Sequence, residues 1–393
     1  MNSTRRTALV RAWALEQGFD RVGIARLDPL PHGPALLAWL ERGDQAGMEW
    51  MGRRLEARLD PSQALPGARV AICVALQYHP PEGAAEPAGD LWPRVARYAR
   101  GLDYHNVMGE RLAALGDRLR EAFPGTESRF YVDTGPVLER ELAARAGLGA
   151  VGKHSLLLNP EGGSWFLLGE LFTTLDLDPG EPLTDLCGRC RLCLDACPTG
   201  ALPEPYRLDS RRCISYWTIE HRGSLPEEAR EMLGEWVFGC DVCQEVCPWN
   251  RGPRRRDTAD EAFQLPSARA ELDLAGLLGL GREDYVESFR GSPLKRAKLS
   301  GLKRNAAVVM GNRGDPRYVP ALERALEDQD PVVREHAAWA LGRIGGPEAL
   351  RVLVGALERE GEPSVRAELG EARARLTPPP AAPILPIPEF SKV

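Results

Sequence analysis

The sequence has no long hydrophobic run and very little lysine. Among its 393 residues no apolar stretch approaches the roughly 18 residues that a membrane-spanning helix needs. Residues 1–13 also lack the uninterrupted apolar core of a signal peptide. We therefore expect a cytoplasmic protein. Only five of the 50 basic residues are lysine. We attribute this to codon bias, so the arginine content alone supports no function.

An excess of charge of one sign is also lacking. The 50 basic and 56 acidic residues give a net charge of −6 at pH 7, which excludes a uniformly basic protein that coats RNA. This average conceals two basic runs. Residues 288–314 contain seven basic residues and no acidic one, and residues 251–256 contain four arginines. Such runs are usually solvated faces, but they are also where an anionic partner would bind.

Cysteine is almost absent outside one short segment. Cys73 stands alone in a buried strand pattern, and we expect it to be a small apolar residue without chemistry. The other eight cysteines all lie within residues 187–247. In a reducing compartment, cysteines this crowded indicate bound metal far more often than disulfides.

The spacing of these eight cysteines is typical of bacterial four-iron clusters. A C-x2-C-x2-C-x3-C-P run begins at Cys187, and a second run that ends at Pro248 lacks its first cysteine, for which Cys213 is the only candidate. In two-cluster ferredoxins the fourth cysteine of each run ligates the other cluster. We therefore predict two 4Fe-4S clusters, one held by Cys187, Cys190, Cys193 and Cys247 and the other by Cys197, Cys213, Cys240 and Cys243. The alternative is a pair of four-cysteine zinc sites, although zinc sites rarely have three cysteines at this spacing.

The chain divides by pattern into three folded parts and a tail. Its length predicts two or three domains at about 100–200 residues each. Alternating helical and strand patterns predict an α/β architecture for the first part, and the cysteines predict a ferredoxin-like second part. The predicted parts are residues 1–178 (α/β), 179–255 (ferredoxin-like, two clusters), 256–376 (helical, HEAT-like) and 377–393 (a proline-rich tail).

Individual elements follow from the same patterns. In the first part, helices are predicted over 7–19, 103–123 and 137–147, and strands over 21–28, 68–79 and 128–135. A β-hairpin is predicted over 154–177, with Asn159-Pro160 and Gly162-Gly163 at its turn. In the third part, residues 302–311 resemble 333–342 and residues 315–326 resemble 346–357, both at an offset of 31. This offset predicts stacked helical hairpins of HEAT type.

Several motifs together resemble the epoxyqueuosine reductase family. They are RGLDYH at 100–105, the stretch from VDTG onward at 131–171, the cysteine run at 187–202 and FGCDVCQEVCPWN at 238–250. The resemblance spans nearly the whole chain, including the helical end. It implies a cobalamin-dependent oxidoreductase with an N-terminal cobalamin-binding domain. The implied reaction reduces the epoxide of epoxyqueuosine at the tRNA wobble position to queuosine, the last step of queuosine biosynthesis, with two clusters delivering electrons one at a time.

The resemblance also assigns site residues. Asp133 of VDTG matches the family's catalytic acid, and to donate a proton near neutral pH it would need a desolvated pocket that keeps its carboxyl protonated. Without the resemblance, a strand-end aspartate that caps helix 137–147 is the simpler interpretation. The implied cobalamin contacts are Arg58, Ala96, Asp133, Leu157, Leu168, Leu171, Ser215, Cys240 and Asp241. Because Cys240 belongs to both sets, the cluster of Cys197 and Cys213 is expected to pass electrons to cobalt.

A tRNA substrate turns the basic runs into candidate phosphate contacts. The predicted contacts are Arg222, Arg254, Arg255, Lys295, Arg296, Lys298, Lys303 and Arg304. We expect a monomer, because a large RNA must reach the site. We also expect an external electron donor, which the sequence does not identify. Two alternatives remain: a cobalamin and iron–sulfur reductase of a small molecule, similar to a dehalogenase, and an electron carrier without catalytic activity.

Overall fold

The computed structural model describes residues 1–81, 89–183, 185–252, 256–258 and 260–377. Packing divides the chain into two compact units, Met1–Ala306 and Ala307–Val393. Almost all of the predicted proline-rich tail lies outside the described residues. No helix in the described ranges is long and apolar enough to cross a membrane.

A four-stranded antiparallel sheet forms the centre of the first unit. Its strands run in the order β1, β2, β6, β3, and a separate small sheet pairs β4 with β5. The three strands predicted before residue 140 are confirmed. The strands are β1 Arg21–Arg26, β2 Val70–Gln77, β3 Ser128–Tyr131, β4 Ala150–Val151, β5 Leu157–Leu158 and β6 Phe166–Thr173.

The helices of the first unit surround this sheet and continue into the cysteine segment. They are α1 Ser3–Glu16, α2 Gly33–Glu41, α3 Leu55–Leu59, α4 Tyr104–Ala122, α5 Glu139–Arg145, α6 Leu192–Ala196, α7 Glu227–Met232, α8 Val242–Glu245, α9 Ser267–Ala270, α10 Leu274–Gly279 and α11 Arg282–Ser288. One π-helical turn covers Tyr216–Glu220. The side chain of Asp103 accepts a hydrogen bond from the amide of His105 and so caps α4.

The sheet has two buried faces because side chains alternate along each strand. On β6, Leu167 and Leu171 pack with the cluster that includes Met108 of α4. Phe166 and Phe172 point the other way and pack with the cluster that includes α5. The N-terminal part is therefore layered, with α1 and α4 on one face and α5 on the other.

The predicted hairpin over 154–177 is wrong in its strand pairing. Its turn exists, since the amide of Asn159 donates to the carbonyl of Gly163 at 2.8 Å and Gly163 donates back at 2.9 Å. However, β5 pairs with β4, whereas β6 pairs with β2 and β3. The sequence pattern did not show that β5 is only two residues long and that β6 is an eight-residue central strand. The partners of β6 lie far away in sequence, where a local pattern gives no information about pairing.

The second unit consists of helices at the predicted repeat. Helix α12 (Lys298–Arg313) spans the boundary, and it is followed by α13 Val319–Ala325, α14 Pro331–Ile344, α15 Gly346–Arg359 and α16 Pro363–Leu376. The offset relates Gly311 to Gly342, and both lie where helices approach closely. A Cβ atom on Gly311 would be 2.9 Å from the Cα of Ala340, and one on Gly342 would be 2.9 Å from the Cα of Ala372. The repeat therefore includes a position where only glycine fits.

Substituting Gly342 tests this packing. Gly342→Ala should destabilise the second unit by about 1–3 kcal/mol, because the new methyl group meets backbone atoms that cannot move aside. Gly370→Ala is the matched control: it is also within a helix, faces open space and should gain up to about 1 kcal/mol from helix propensity. Hydrogen exchange of the α14 and α16 amides measures both changes. Equal protection in the two variants would contradict the packing.

Candidate active site

A cavity of about 470 Å³ lies in the first unit, between the α5 side of the sheet and the cysteine segment. This volume is in the usual range for a small-molecule or cofactor site, about 300–1,000 Å³. The wall combines apolar side chains with a few polar groups. Six of the predicted cobalamin contacts line it: Asp133, Leu157, Leu168, Ser215, Cys240 and Asp241.

The other three predicted contacts do not line this cavity. Arg58 is buried on α3 and interacts electrostatically with Glu139 and Asp133. Ala96 is buried, and its amide donates to the carbonyl of Phe238 at 2.8 Å. Leu171 packs under α4 on the opposite face of the sheet, because strand alternation turns it away from Leu168. A side-chain contact by Leu171 is therefore not supported.

Asp133 lies in a strained loop directly after β3. Its φ of 54° is in the left-handed region, which is uncommon for residues other than glycine. The amide of Asp133 donates to Oε1 of Glu139 at 2.5 Å, and the hydroxyl of Tyr104 donates to Oδ2 of Asp133 at 2.7 Å. Asp133 does not cap α5, whose N-cap is Leu138 without a side-chain bond. The capping interpretation is wrong, and the carboxyl points towards the cavity.

The expected desolvation is found beside Asp133 and not at it. The side chain of Asp133 is 64% exposed. Its neighbour Glu139 is instead shielded, and burial first and then the charge of Asp133 raise the pKa of Glu139 to about 8. Glu170 on β6 is fully buried, and burial followed by the charge of Glu139 raises the pKa of Glu170 well above its usual value. Burial thus favours the protonated form of both glutamates.

His105 is a second neighbour of the Asp133 carboxyl. Its Nε2 is 3.9 Å from Oδ2 of Asp133, while its Nδ1 is 2.7 Å from Oδ1 of Asp103. Burial alone would lower the pKa of His105, but the hydrogen bond and charge of Asp103, aided by Asp133, raise it instead. The ring also stacks on Tyr104 at a centroid distance of 4.1 Å. A protonated His105 would stabilise the anion that Asp133 becomes after it gives up a proton.

The eight cysteines form two groups with the predicted membership. Burial and then the thiols of Cys187 and Cys247 raise the pKa of Cys193 to about 11. Burial, and then Cys213, Asp241 and Cys197, raise the pKa of Cys240 to about 12. One group lines a separate small cavity: Cys187, Cys190, Cys193 and Cys247. The other lies on the wall of the large cavity: Cys197, Cys213, Cys240 and Cys243.

Zinc ions and four-iron clusters place different demands on the thiols that bind them. Within the ranges that the structure describes, no three His, Cys, Asp or Glu side chains are close enough to ligate one metal ion. A zinc ion would gather its sulfur ligands at about 2.3 Å from a single centre. A four-iron cluster binds each thiolate through a different iron and so keeps the sulfur atoms farther apart.

Two members of the predicted phosphate-contacting strip are buried. Arg304 on α12 is 1% exposed, and its guanidinium donates to the carbonyls of Trp217 at 2.8 Å and Gly223 at 2.7 Å. Lys303 is buried beside it. A phosphate contact by these two residues is not supported, because the start of α12 directs them into the protein. Arg304 instead fixes the segment that follows the π-helical turn.

The remaining members differ in position. Arg222, Arg296 and Lys298 are exposed and Lys295 is half-buried, while Arg254 and Arg255 lie outside the described residues. Arg296 pairs with Glu220 at 2.7 Å. This hydrogen bond raises the pKa of Arg296, with smaller contributions from the charges of Asp133 and Tyr104. Arg296 is therefore near the cavity.

Comparison with known proteins identifies the family. Three family models match: "Epoxyqueuosine reductase QueG, DUF1730" at residues 58–134, "4Fe-4S double cluster binding domain" at 186–250 and "HEAT repeats" at 295–374. An epoxyqueuosine reductase of Salmonella typhimurium is 40% identical over 336 residues, 85% of this chain and 87% of that protein. One of Pseudomonas aeruginosa is 42% identical over 344 residues, 86% of this chain and 94% of that protein. The chain belongs to the epoxyqueuosine reductase family.

Solved epoxyqueuosine reductases have the same fold. One structure holds a tRNA-Tyr epoxyqueuosine-modified stem loop and matches with a TM-score of 0.88 at 31% identity, covering 95% of this chain and 100% of that one. Another, from Bacillus subtilis, has its catalytic aspartate loop swung out of the active site and matches with a TM-score of 0.88 at 30% identity, covering 96% and 100%. The predicted iron–sulfur domain and HEAT repeats are thereby confirmed as features of the family.

Two acids beside Asp133 were not predicted from the sequence. Glu139 resembled an ordinary first-turn acid of a helix, where a negative charge is common. Glu170 gave a clearer signal, because it is the one charged residue in the apolar run 165–173. A lone charge in a central strand needs a specific reason, since burial of an unpaired charge is costly.

Removing one cysteine tests the grouping. Cys213→Ala should abolish one cluster and retain the other, so that the iron content of anaerobically prepared protein falls to about half. Cys73→Ala is the control, since Cys73 is buried within β2, apart from both groups, and should retain all the iron. Iron analysis with electron paramagnetic resonance measures this. Full iron content in Cys213→Ala, or zinc in place of iron, would contradict the grouping.

Proposed function

We propose that this chain reduces the epoxide of epoxyqueuosine at the tRNA wobble position to the alkene of queuosine, with cobalamin in the large cavity. The observation that carries the proposal is the shared wall of that cavity. It has an acid at one side, Asp133, and one complete cysteine group at the other. A proton source and an electron source therefore face the same space, which is what a reductive elimination of oxygen requires.

The residues around the cavity fit a cobalamin. Nδ1 of His154 accepts a hydrogen bond from the amide of Leu156 at 3.1 Å, and burial lowers the pKa of His154 to about 4. The ring is therefore neutral with its proton on Nε2, a buried donor that has no partner among the described residues. The amide groups around a corrin ring are suitable acceptors. When bound, cobalamin would supply a low-valent cobalt that can be recharged by one electron at a time.

We assign the cluster ligands to the two cysteine groups. The group with Cys197 and Cys240 would be the proximal cluster, because it lines the cavity, and the group with Cys187 and Cys247 would be the distal one. Backbone amides already point at the sulfur atoms, as at Cys187, whose Sγ accepts from the amide of Lys153 at 3.4 Å. Such bonds favour the thiolate form that ligation needs.

Asp133 would act as the acid that protonates the epoxide oxygen as the ring opens. Tyr104 holds Oδ2 at 2.7 Å, and His105 stabilises the resulting carboxylate. Because the side chain is exposed in the free protein, desolvation would follow only when the RNA base and the cofactor fill the cavity. The swung-out aspartate loop of the Bacillus subtilis relative supports a loop that changes position.

The RNA would approach over the exposed basic side chains near the cavity. Arg222, Arg296, Lys295 and Lys298 are suited to phosphate contacts, since their positions border the segment that holds the active site. The stem loop bound to the solved relative supports this substrate. A wobble base would leave its stack to reach the cavity, as bases do in other enzymes that modify them.

Replacing the acid tests its role. Asp133→Asn should slow conversion of an epoxyqueuosine-containing stem loop by at least about 10²-fold, because the amide cannot donate the proton. Cobalamin absorption and iron content should be unchanged. Asp117→Asn, an exposed residue of α4, is the control and should retain full turnover. Undiminished turnover by Asp133→Asn with cobalamin bound would contradict the assignment of Asp133 as the acid.

Reversing one charge tests the RNA surface. Lys298→Glu should weaken binding of the stem loop and reduce the slope of log affinity against log salt by about 1, the effect of losing one phosphate contact. Arg5→Glu makes the same charge change at an exposed position of α1 and should leave both quantities unchanged. Fluorescence anisotropy across a salt series measures them. Identical slopes in wild type and Lys298→Glu would exclude this contact.

A further inference from the structure

Two glutamates that have no part in the proposed steps lie beside the Asp133 loop. Glu170 is in the middle of β6, and its side chain is fully buried. Glu139 begins α5, is half-buried and lines the cavity beside Asp133. Because α5 packs against β6, the two carboxyl groups lie close enough between helix and strand to influence each other's pKa.

Among the described residues, no salt bridge joins Glu170 to a cation. Its neighbours across the sheet are Cys73 on β2 and Tyr131 on β3. Neither of its carboxyl oxygens has a hydrogen bond of standard geometry within the described residues. Two carboxylates in contact inside a protein cannot both be ionised without a large cost. Glu139 and Glu170 therefore retain at least one proton between them at neutral pH.

Glu139 has several charged neighbours, and burial outweighs them. Arg140 on the same helix and Arg58 on α3 are cations that favour the carboxylate, and His105 adds to them when protonated. Asp133 opposes them. The net result is the raised pKa of Glu139, about 8, for which burial is the largest cause. A proton on Glu139 is thus held at the cavity and given up near pH 8, whereas Glu170 keeps its proton.

The reaction needs more protons than Asp133 carries. Reduction of an epoxide to an alkene breaks both carbon–oxygen bonds, forms a carbon–carbon double bond and takes up two electrons. The oxygen leaves as water, so two oxygen–hydrogen bonds must form. The electrons come through the clusters from an external one-electron donor. One carboxyl supplies one proton, and the second needs another source within the closed site.

We propose that Glu139 and Glu170 are that second source: the pair is protonated at neutral pH, and Glu139 transfers a proton to the departing oxygen. The inference rests on the proposed role of Asp133. Glu139 is the member that reaches the cavity, and Glu170 is a positioning residue whose protonated carboxyl interacts with Glu139 from the strand. Asp133 and Glu139 would then supply one proton each, and water in the open cavity would reload both.

Infrared spectroscopy tests for the stored proton without catalysis. The protein free of substrate should show the carboxylic acid band of a buried glutamate at pH 7, and selective ¹³C labelling of glutamate should shift it. Glu170→Gln should weaken this band, since it removes the acid with the higher pKa, and the part that remains should titrate near pH 8 with Glu139. Glu141→Gln is the matched control on α5, because Glu141 is also buried but pairs with His32, and it should keep the band. Absence of a glutamate band from wild type at pH 7 would overturn the proposal, even if every variant misfolded.

Single-turnover kinetics with pre-reduced enzyme test the transfer. In wild type, formation of the alkene should slow as pH rises through about 8, where Glu139 loses its proton. Glu139→Gln should be about 10²-fold slower at pH 7 and should lose this pH dependence, whereas Glu170→Gln should shift its midpoint, with cobalamin spectrum and stem-loop affinity unchanged in both variants. Glu141→Gln should match wild type in rate and profile. A wild-type rate and profile in both pair variants would refute the transfer.

Comparing Asp133→Asn with Glu139→Gln distinguishes a failure of this inference from a failure of the proposed function. Asp133→Asn should retain the infrared band, because Asp133 is not a member of the pair. Loss of turnover in Asp133→Asn with normal turnover in Glu139→Gln would overturn the pair alone. Normal turnover in Asp133→Asn with loss in Glu139→Gln would overturn the proposed role of Asp133 and leave the pair as the acid.

Discussion

The central position of β6 determines the arrangement of the first unit. It pairs with β2 on one side and β3 on the other, so its side chains can only point to two buried layers. One layer lies under α4 and is apolar. The other must accommodate Glu170 between β6 and α5, and the strand end and loop above it place Asp133 and Glu139 at the cavity. The acids of the site are therefore held by a central strand, which permits little movement of Glu170, and by a loop, which permits more at Asp133.

Much of the site could be predicted from short-range sequence patterns. The cysteine spacing indicated two clusters, and the membership of both groups followed from one rule about crossed ligation. The role of Asp133 came from the family resemblance that the VDTG motif helps to carry, and periodicity predicted the three strands and the longer helices before residue 140. These features are local in sequence, or are fixed by spacing, so they do not depend on knowing which strands are neighbours.

The failures share a physical cause, which is that burial is a property of the folded chain. The hairpin prediction was wrong because β6 pairs with strands that are distant in sequence and not with β5, the strand nearest to it in sequence. Lys303 and Arg304 looked like surface charges because a basic run does not reveal which side of α12 faces inward. Glu139 and Asp133 differ in exposure in a way that no motif records. Sequence reasoning placed the desolvated acid at the residue with the motif, whereas packing placed it six positions later.

The crossed grouping of the cysteines has a consequence for synthesis of the chain. The distal group has three of its four cysteines by residue 193, but it is incomplete until Cys247 has been synthesised. The proximal group is incomplete until Cys243 has been synthesised. A nascent chain that stops before Cys240 carries five of the eight cysteines but no complete set. Prematurely terminated products would therefore contain the whole α/β layer and yet hold no cluster. The fold thus ties redox competence to completed translation of the cysteine segment.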